Sequence, residues 1–287
     1  MDAARLTRAT LRRWPLPSAA SSTSKEDRGR VAVVGGSRAV PGAVLLAGEA
    51  ALRAGAGKLV TLTAMSLSET MALVMPESAV IGVALDASGE LGALNSGAVD
   101  RLRDAAVVLV GPGMATGASP ASAQVARAAR VVVADAGSLH ADALKPAHGR
   151  LVITPHAAEM AYLLNLRPDE VVRHSPELAC EAAVEFGAVV VLKGPTTWIA
   201  TPAGELWRHE VDAPGLGTSG SGDVLAGVLT GLIARGASLA QAACWAVAVH
   251  ARAGVMASRQ IAPIGFLARE LLPRIPQILA RLEARRI

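Results

Sequence analysis

Four glycines, Gly215, Gly217, Gly220 and Gly222, fall within eight positions, and one acid, Asp223, follows them where a long apolar helix begins. Residues 214–227 read Pro-Gly-Leu-Gly-Thr-Ser-Gly-Ser-Gly-Asp-Val-Leu-Ala-Gly. Glycine has no Cβ, so the backbone can approach a ligand closely and turn its N–H groups inward. A helix start adds unpaired donors and a partial positive charge. Together these seat an anion, most often a phosphate. An acid beside a phosphate seat is unfavourable for binding alone, because like charges repel. It makes sense where Asp223 must take a proton from, or aim, a hydroxyl attacking phosphorus. The plainer reading of the same residues is a glycine-rich turn with an acid capping the helix.

Two familiar nucleotide patterns fail on inspection. Gly215-Leu-Gly217-Thr-Ser-Gly220 spells GxGxxG, but no Asp or Glu occurs from 224 through 269 to bind a ribose about 20 residues on. Gly57-Lys58 resembles the end of a P-loop, yet the first glycine would fall on Leu52 and the Ser/Thr on Leu59.

The elements that must position the loop are an alternation of short β-branched runs and Ala/Leu-rich helical periods. Strands are predicted at 31–34, 58–63, 107–110, 131–134, 151–153, 188–192, 197–200 and 206–211. Helices are predicted at 43–55, 94–104, 121–130, 157–164, 176–186, 223–234, 239–256 and 266–284. Several strands are continuous apolar runs, as expected where helices cover both faces of a sheet. The alternation implies an α/β fold with a mostly parallel sheet. The last two strands, joined by Thr-Pro-Ala-Gly-Glu, read as an antiparallel hairpin near the edge. In such sheets ligands sit beyond the carboxyl ends of the strands. Small or polar residues stand at five of those ends: Gly35-Gly36-Ser37, Gly111-Pro112-Gly113, Asp135-Ala136-Gly137, Thr154-Pro155-His156 and Lys193-Gly194.

Composition narrows the function classes. The formal net charge is +4, but residues 1–30 carry seven Lys/Arg against three acids and residues 269–287 five against two, which leaves the middle at −3. The basicity belongs to the ends, and no basic stripe with interleaved aromatics suggests nucleic-acid binding. Cys180 and Cys244 lie far apart without CxxC spacing and read as reduced thiols of a cytosolic protein. No apolar run is long enough for a membrane span. Residues 1–29 read as an extension with a short amphipathic piece from Leu6 to Trp14 and a Ser-rich linker at 18–24. Its apolar residues would strap it onto the body or onto a neighbouring subunit. Residues 30–287 read as a single domain.

The ordered set Gly-Ser…Pro-Gly-Ala (36–43), Gly-Pro-Gly (111–113), Asp-Ala-Gly (135–137), Thr-Pro-His-x-x-Glu (154–159), Leu-Lys-Gly (192–194) and Gly-Ser-Gly-Asp-Val-Leu-Ala-Gly (220–227) resembles the ADP/ATP-dependent NAD(P)H-hydrate dehydratases, nicotinamide-repair enzymes of the ribokinase-like superfamily. The likeness covers about residues 30–285. It implies a ribokinase-like three-layer sandwich, and a reaction in which the hydroxyl of (6S)-hydrated NADH or NADPH takes a phosphoryl group from ADP or ATP. Phosphate is then expelled by the ring nitrogen's electron pair, restoring NAD(P)H. Phosphate is a far better leaving group than water, which is what the anion seat would serve.

By resemblance, Asp223 is the catalytic base and contacts the hydrate, which Ala43, Gly113 and His156 also bind. Lys193, Gly194, Pro195, Thr196, Thr197, Gly220, Ser221 and Gly222 hold the nucleotide and its phosphates. Glu159 would handle Mg²⁺ through its waters, or else is an ordinary first-turn acid satisfying the helix dipole. His156 has a plain reading too, as a helix cap beside Pro155. Asp135 is a phosphate-side or Mg²⁺-water ligand, or a strand-end cap. Ala213 stands where many relatives carry Asn, which removes a side-chain hydrogen bond to substrate. A cytoplasmic homo-oligomer, a tetramer among the options, is expected from the resemblance, and no fused epimerase domain fits in the thirty residues ahead of the body. The alternative on the same scaffold is a vitamin-precursor kinase, against which His156 speaks, since such kinases usually carry Asn there.

Overall fold

A computed structural model describes residues 3–18, 24–117 and 119–283; the predicted linker at 18–24 lies, but for Ser18 and Ser24, outside them. The strands are β1 (Ala4–Arg5), β2 (Arg30–Val34), β3 (Lys58–Ala64), β4 (Ser78–Val83), β5 (Val107–Val110), β6 (Val132–Ala134), β7 (Leu151–Ile153), β8 (Ala188–Leu192), β9 (Thr196–Ala200) and β10 (Leu206–Glu210). The helices are α1 (Arg8–Arg13), α2 (Ala43–Arg53), α3 (Ser68–Val74), α4 (Ser96–Asp104), α5 (Pro120–Ala128), α6 (Ala141–Leu144), α7 (Ala157–Leu164), α8 (Pro168–Arg173), α9 (Ser175–Glu185), α10 (Ser221–Ala234), α11 (Leu239–Gln260) and α12 (Ile275–Glu283).

All ten strands form one sheet in the order β1-β10-β9-β8-β7-β6-β5-β2-β3-β4. From β4 across to β8 every pairing is parallel, β9 is antiparallel to both neighbours, and β1 adds in parallel to β10. Side chains alternate between faces, and the two faces feed separate cores. Val31, Val33, Val107, Leu109 and Val133 pack with α2, α10 and α11. Ala32, Val34, Val108, Val110 and Val132 pack with α4, α5 and α9. This is the predicted three-layer, ribokinase-like arrangement, and it explains why the strands read as unbroken apolar runs.

The chain leaves β2 for β3 and β4, then returns to β5 on the other side of β2. In open parallel sheets a reversal of this kind marks the strand ends at which ligands bind. The two loops at the reversal are stitched together: Gly36 N–H donates to the Pro112 carbonyl at 2.8 Å and Ser37 N–H to that of Gly113 at 3.0 Å. Helix α10 lies tightly on α2 because Gly227 and Gly231 lack side chains; a Cβ on either would run into the Ala47 or Ala51 carbonyl of α2.

The N-terminal segment straps onto its own body. Beyond the β1–β10 pairing, Leu6, Leu11 and Leu16 are buried in the core shared with α11 and α12. Trp14 stacks on Trp207 with ring centroids 5.9 Å apart, and its carbonyl accepts from Trp245 Nε1 at 2.9 Å.

Several element boundaries differ from expectation. The helix expected over 266–284 is two 3₁₀ turns, Ala268–Glu270 and Leu272–Arg274, followed by α12. Pro273 and Pro276 supply no N–H, so a helix can begin near them but not run through. Helix α10 begins at Ser221, not Asp223, which puts the acid inside the first turn. Strand β4 was not predicted; as the half-exposed edge, Ser-Ala-Val-Ile-Gly-Val carries a weaker apolar signal than the central strands. Strand β1 and helices α3, α6 and α8 were also unforeseen; none exceeds seven residues. Among the described residues, no helix is long and apolar enough to cross a membrane.

Candidate active site

At the carboxyl ends of β6, β7 and β8, one ammonium gathers the acids. Lys193 Nζ lies 2.8 Å from Asp135 Oδ1 and 3.7 Å from Glu159 Oε2. Asp135 Oδ1 also accepts from the Thr154 hydroxyl at 2.8 Å. Asp135 and Thr154 are buried, at 2% and 0% exposure, so these charges are bound into the protein rather than loosely paired at its surface. Burial pulls the Lys193 ammonium down, but Asp135 and Glu159 outweigh it and leave the group firmly protonated.

The start of α10 faces this cluster. A Cβ on Gly222 would sit 3.3 Å from Lys193 Nζ and 3.8 Å from Asp135 Oδ2, so the first turn of the helix and the half-buried ammonium border one space. Gly220 adopts φ +84° as the residue before the helix, and no side chain caps the helix there. Glycine takes this left-handed conformation without the Cβ clash that other residues meet. The amides of the first turn have no intrahelical partners. Ser221, the first helical residue, is pinned from α11: its Oγ lies 2.9 Å from His250 Nε2. Burial lowers the His250 pKa to about 4, with Ser221 opposing and Lys193 adding, so the ring is neutral at neutral pH.

Asp223 stands in the same first turn. Burial raises its carboxyl to about 7; Asp135 pushes the same way, Lys193 pulls back and Glu159 adds to the rise. A carboxylate poised near 7 can accept a proton from a hydroxyl while staying largely ionised at slightly alkaline pH.

The small residues expected to face the hydrate converge as well. A Cβ on Gly113 would lie 3.0 Å from Ala43 Cβ and 3.4 Å from Gly36 Cα. One turn further along α2, Leu46 lies 2.5 Å from where a Gly220 Cβ would be. Helix α2 thus joins the Gly113 floor to the Gly220 loop. The Lys193–Thr197 segment forms the turn from β8 into β9; Lys193 N–H donates to the Pro155 carbonyl at 2.8 Å, and Thr197 Oγ1 to that of Gly194 at 3.3 Å. Gly194 and Pro195 are exposed, and Thr196 and Thr197 half-buried, so a ligand can lie along them.

His156 is a cap, as its plain reading held. Its Nδ1 accepts from Ala158 N at 3.1 Å and Glu159 N at 3.2 Å, and Glu159 Oε2 accepts from His156 N at 2.7 Å. The side chain remains 54% exposed, which leaves Nε2 open to solvent with a 3.5 Å approach to Glu159 Oε1. Capping therefore occupies Nδ1 and leaves the other ring nitrogen uninvolved in it. Glu159 holds the helix start and also faces Lys193.

Among the described residues, no three His, Cys, Asp or Glu side chains are grouped to hold a metal directly. The acids around Lys193 are oxygen donors, with Asp135 Oδ1 and Glu159 Oε2 already engaged. Mg²⁺ keeps much of its water and leans on one or two carboxylates plus phosphate oxygens. This donor set fits such water-mediated binding, and does not fit a cage of protein ligands.

Sequence reasoning missed His250. The local signal was a polar residue within an otherwise apolar stretch of α11, and nothing in spacing ties it to Ser221, 29 residues away.

The comparisons agree with this geometry. The family model described as NAD(P)H-hydrate dehydratase matches residues 31–277. An ADP-dependent (S)-NAD(P)H-hydrate dehydratase from Xanthomonas campestris is 46% identical over 96% of both chains. A bifunctional NAD(P)H-hydrate repair enzyme from Moorella thermoacetica is 36% identical over 97% of this chain, which spans only 54% of that longer protein. The structure of the ADP/ATP-dependent NAD(P)H-hydrate dehydratase from Bacillus subtilis, co-crystallised with ATP and Mg²⁺, superposes with a TM-score of 0.82 at 26% identity, covering 99% of this chain and 100% of that one. With the fold, the glycine-rich helix start and the order of the strand-end motifs all in accord, the chain belongs to the NAD(P)H-hydrate dehydratase family.

Proposed function

We propose that this enzyme restores hydrated NADH and NADPH by nucleotide-dependent dehydration, and the observation that carries the proposal is a carboxylate raised to about 7 in the first turn of an uncapped, glycine-led helix. The hydrate lies against Ala43 and Gly113, with His156 Nε2 reaching its polar edge. The nucleotide lies along Lys193–Thr197 with its phosphates on the amides of Gly220–Gly222. Asp223 takes the proton of the hydrate hydroxyl as its oxygen attacks the terminal phosphorus. The bond from that phosphorus to the departing AMP (or ADP, when ATP is the donor) breaks as the new one forms. The ring nitrogen's electron pair then expels phosphate, and loss of a ring proton restores NAD(P)H. First-turn amides and the Lys193 ammonium stabilise the charge spread over the transferring group without reorganising.

Mg²⁺, held through water by Glu159 and Asp135, would neutralise phosphate charge and align the donor. The proposal extends to a cytoplasmic homo-oligomer, whose assembly size-exclusion chromatography with light scattering tests.

A small-molecule kinase would use the same loop, so the deciding experiment follows both products. Hydrated NADH or NADPH is supplied with ADP and, in parallel, with ATP, and the reduced-nicotinamide absorbance band is monitored. Recovery of the band with release of inorganic phosphate supports the dehydratase. A phosphorylated product that accumulates without recovery of the band supports the kinase and overturns the proposal.

A further inference from the structure

The basic ends of the chain play no part in the site above, yet they fold together. Helix α1 packs against α12, and the two line, with α11 and the end of β10, a half-open cavity of about 620 Å³. Its volume is in the usual range of small-molecule pockets, about 300–1,000 Å³. Leu11, Ala251, Val255 and Ile278 supply apolar wall, while Arg8, Arg252 and Arg281 stand around it. None of its lining residues belongs to the Lys193 cluster.

The charges at this cavity are unevenly committed. Arg8 Nη2 donates to the Arg281 carbonyl at 2.8 Å, which ties the N-terminal strap to α12. The Arg252 and Arg281 side chains have no hydrogen-bond or ion-pair partner among the described residues and are exposed. Of the two acids at the rim, Glu210 is held by Arg5 at 3.5 Å and Arg208 at 3.8 Å, while Asp212 has no such partner among the described residues. Two uncommitted guanidiniums favour an anion, and one uncommitted carboxylate disfavours a polyanion such as a nucleotide. The apolar walls would be wasted on an inorganic ion.

We propose that this cavity, between the N-terminal strap and α11–α12, is a second binding site for a single-chain amphiphilic monoanion, an aliphatic carboxylate with its chain on the Leu11–Val255 wall and its head on Arg252 and Arg281. The probe is dodecanoate, well below its micellar concentration, titrated calorimetrically into the full chain with AMP present to fill the nucleotide seat. Dodecyltrimethylammonium, equal in chain length and opposite in charge, serves as control. The expected result is one saturable dodecanoate site per chain, indifferent to AMP and closed to the cation. The double variant Arg252→Gln/Arg281→Gln, which breaks no side-chain bond among the described residues, weakens binding at least fivefold. Val255→Trp, which fills the cavity from a half-exposed position, abolishes binding.

The proposal is overturned by an absence of saturable binding, by equal binding of the cation, or by displacement with AMP. Affinity unchanged in both variants overturns it equally. Should Val255→Trp instead change the oligomeric state of a chain that binds no dodecanoate, the cavity belongs to a contact between copies and the proposal falls.

Discussion

Two helix starts, α7 and α10, border Lys193 and are finished in opposite ways. At α7 the chain satisfies its own donors: the His156 ring takes two amides and the Glu159 carboxylate takes a third. At α10 a left-handed glycine leads in and no side chain caps; the Ser221 amide turns back to the Thr218 carbonyl of the preceding loop at 3.2 Å, and no side chain takes the amides that follow. A closed start is scaffold and an open one is a place for a ligand's anion. The same contrast governs the acids. Glu159 is committed to a backbone amide, while Asp223 has no such bond among the described residues and is left raised to about 7 by burial and like charge.

The largest expected effect comes from the acid at the open start. Asp223→Asn lowers turnover of the hydrate by a factor of about 10³ or more while AMP affinity stays within a few-fold, as measured by single-turnover kinetics and calorimetry. Wild-type kcat/KM rises with pH through about 7 as the carboxyl ionises, and this limb is absent from any residual activity of the variant. Stability moves the other way. The folded-state pKa lies above the ordinary value of 3.8, so between roughly 4 and 7 the native state holds the extra proton, and stability falls as pH rises across that window. Asp223→Asn is accordingly more stable than wild type at pH 8. A variant that turns over normally, or melts lower there, breaks the assignment.

Gly220→Ala strikes the opening itself. A Cβ there meets Leu46 at 2.5 Å and a φ of +84° that alanine resists. The nucleotide KM should rise at least tenfold and Tm should fall, the strain costing about 1–2 kcal/mol. A nucleotide KM that stays at the wild-type value while Tm falls would make this glycine a hinge of the scaffold and not part of the phosphate seat.

Lys193→Met removes the charge that the acids share. It leaves Asp135 buried at 2% exposure without its ammonium, and it withdraws the one neighbour that lowers the Asp223 pKa. Turnover should drop about 10²-fold, and the rising limb of the pH profile should move to higher pH. A limb that stays in place shows that Lys193 and Asp223 do not communicate.

His250→Leu cuts the bond that pins Ser221 to α11. A loss of about tenfold in kcat is expected, with His250→Gln retaining most of the activity and Ser221→Ala/His250→Leu no worse than either single change. Additive losses would detach His250 from the seat.

The smallest effect belongs to the closed start. His156→Ala removes a cap and should cost about 1 kcal/mol of stability, whereas His156→Asn keeps an acceptor for the same amides and restores Tm. If Asn also restores the KM for hydrate, His156 is a cap alone; if KM stays high, the exposed Nε2 touches substrate as well.

The legible parts of the molecule were those written in neighbouring residues. Valine-rich runs such as Val31–Val34 and Val107–Val110 announced central strands because both of their faces are buried. Edge strand β4 was not legible, since one exposed side weakens the apolar run on which such a reading depends. The stretch 266–284 misled because its leucine spacing is helical while Pro273 and Pro276 break the hydrogen-bond ladder. At the site, the glycine-rich loop and Asp223 stood out from sequence, yet His156 could be read two ways until its ring was seen to accept two amides.

The alternation of the central strands and helices, the glycine-led helix start and the acid beside it were determined by the sequence itself, because each rests on residues a few positions apart. Only the tertiary structure decided how the charges settle. Lys193 meets Asp135 across 58 residues and Ser221 meets His250 across 29. The convergence of both basic ends on one cavity is equally beyond local spacing. The physical reason is that a carboxyl's proton affinity depends on how much water and which charges surround it, and for Asp223 these are set by strand ends that only folding brings together.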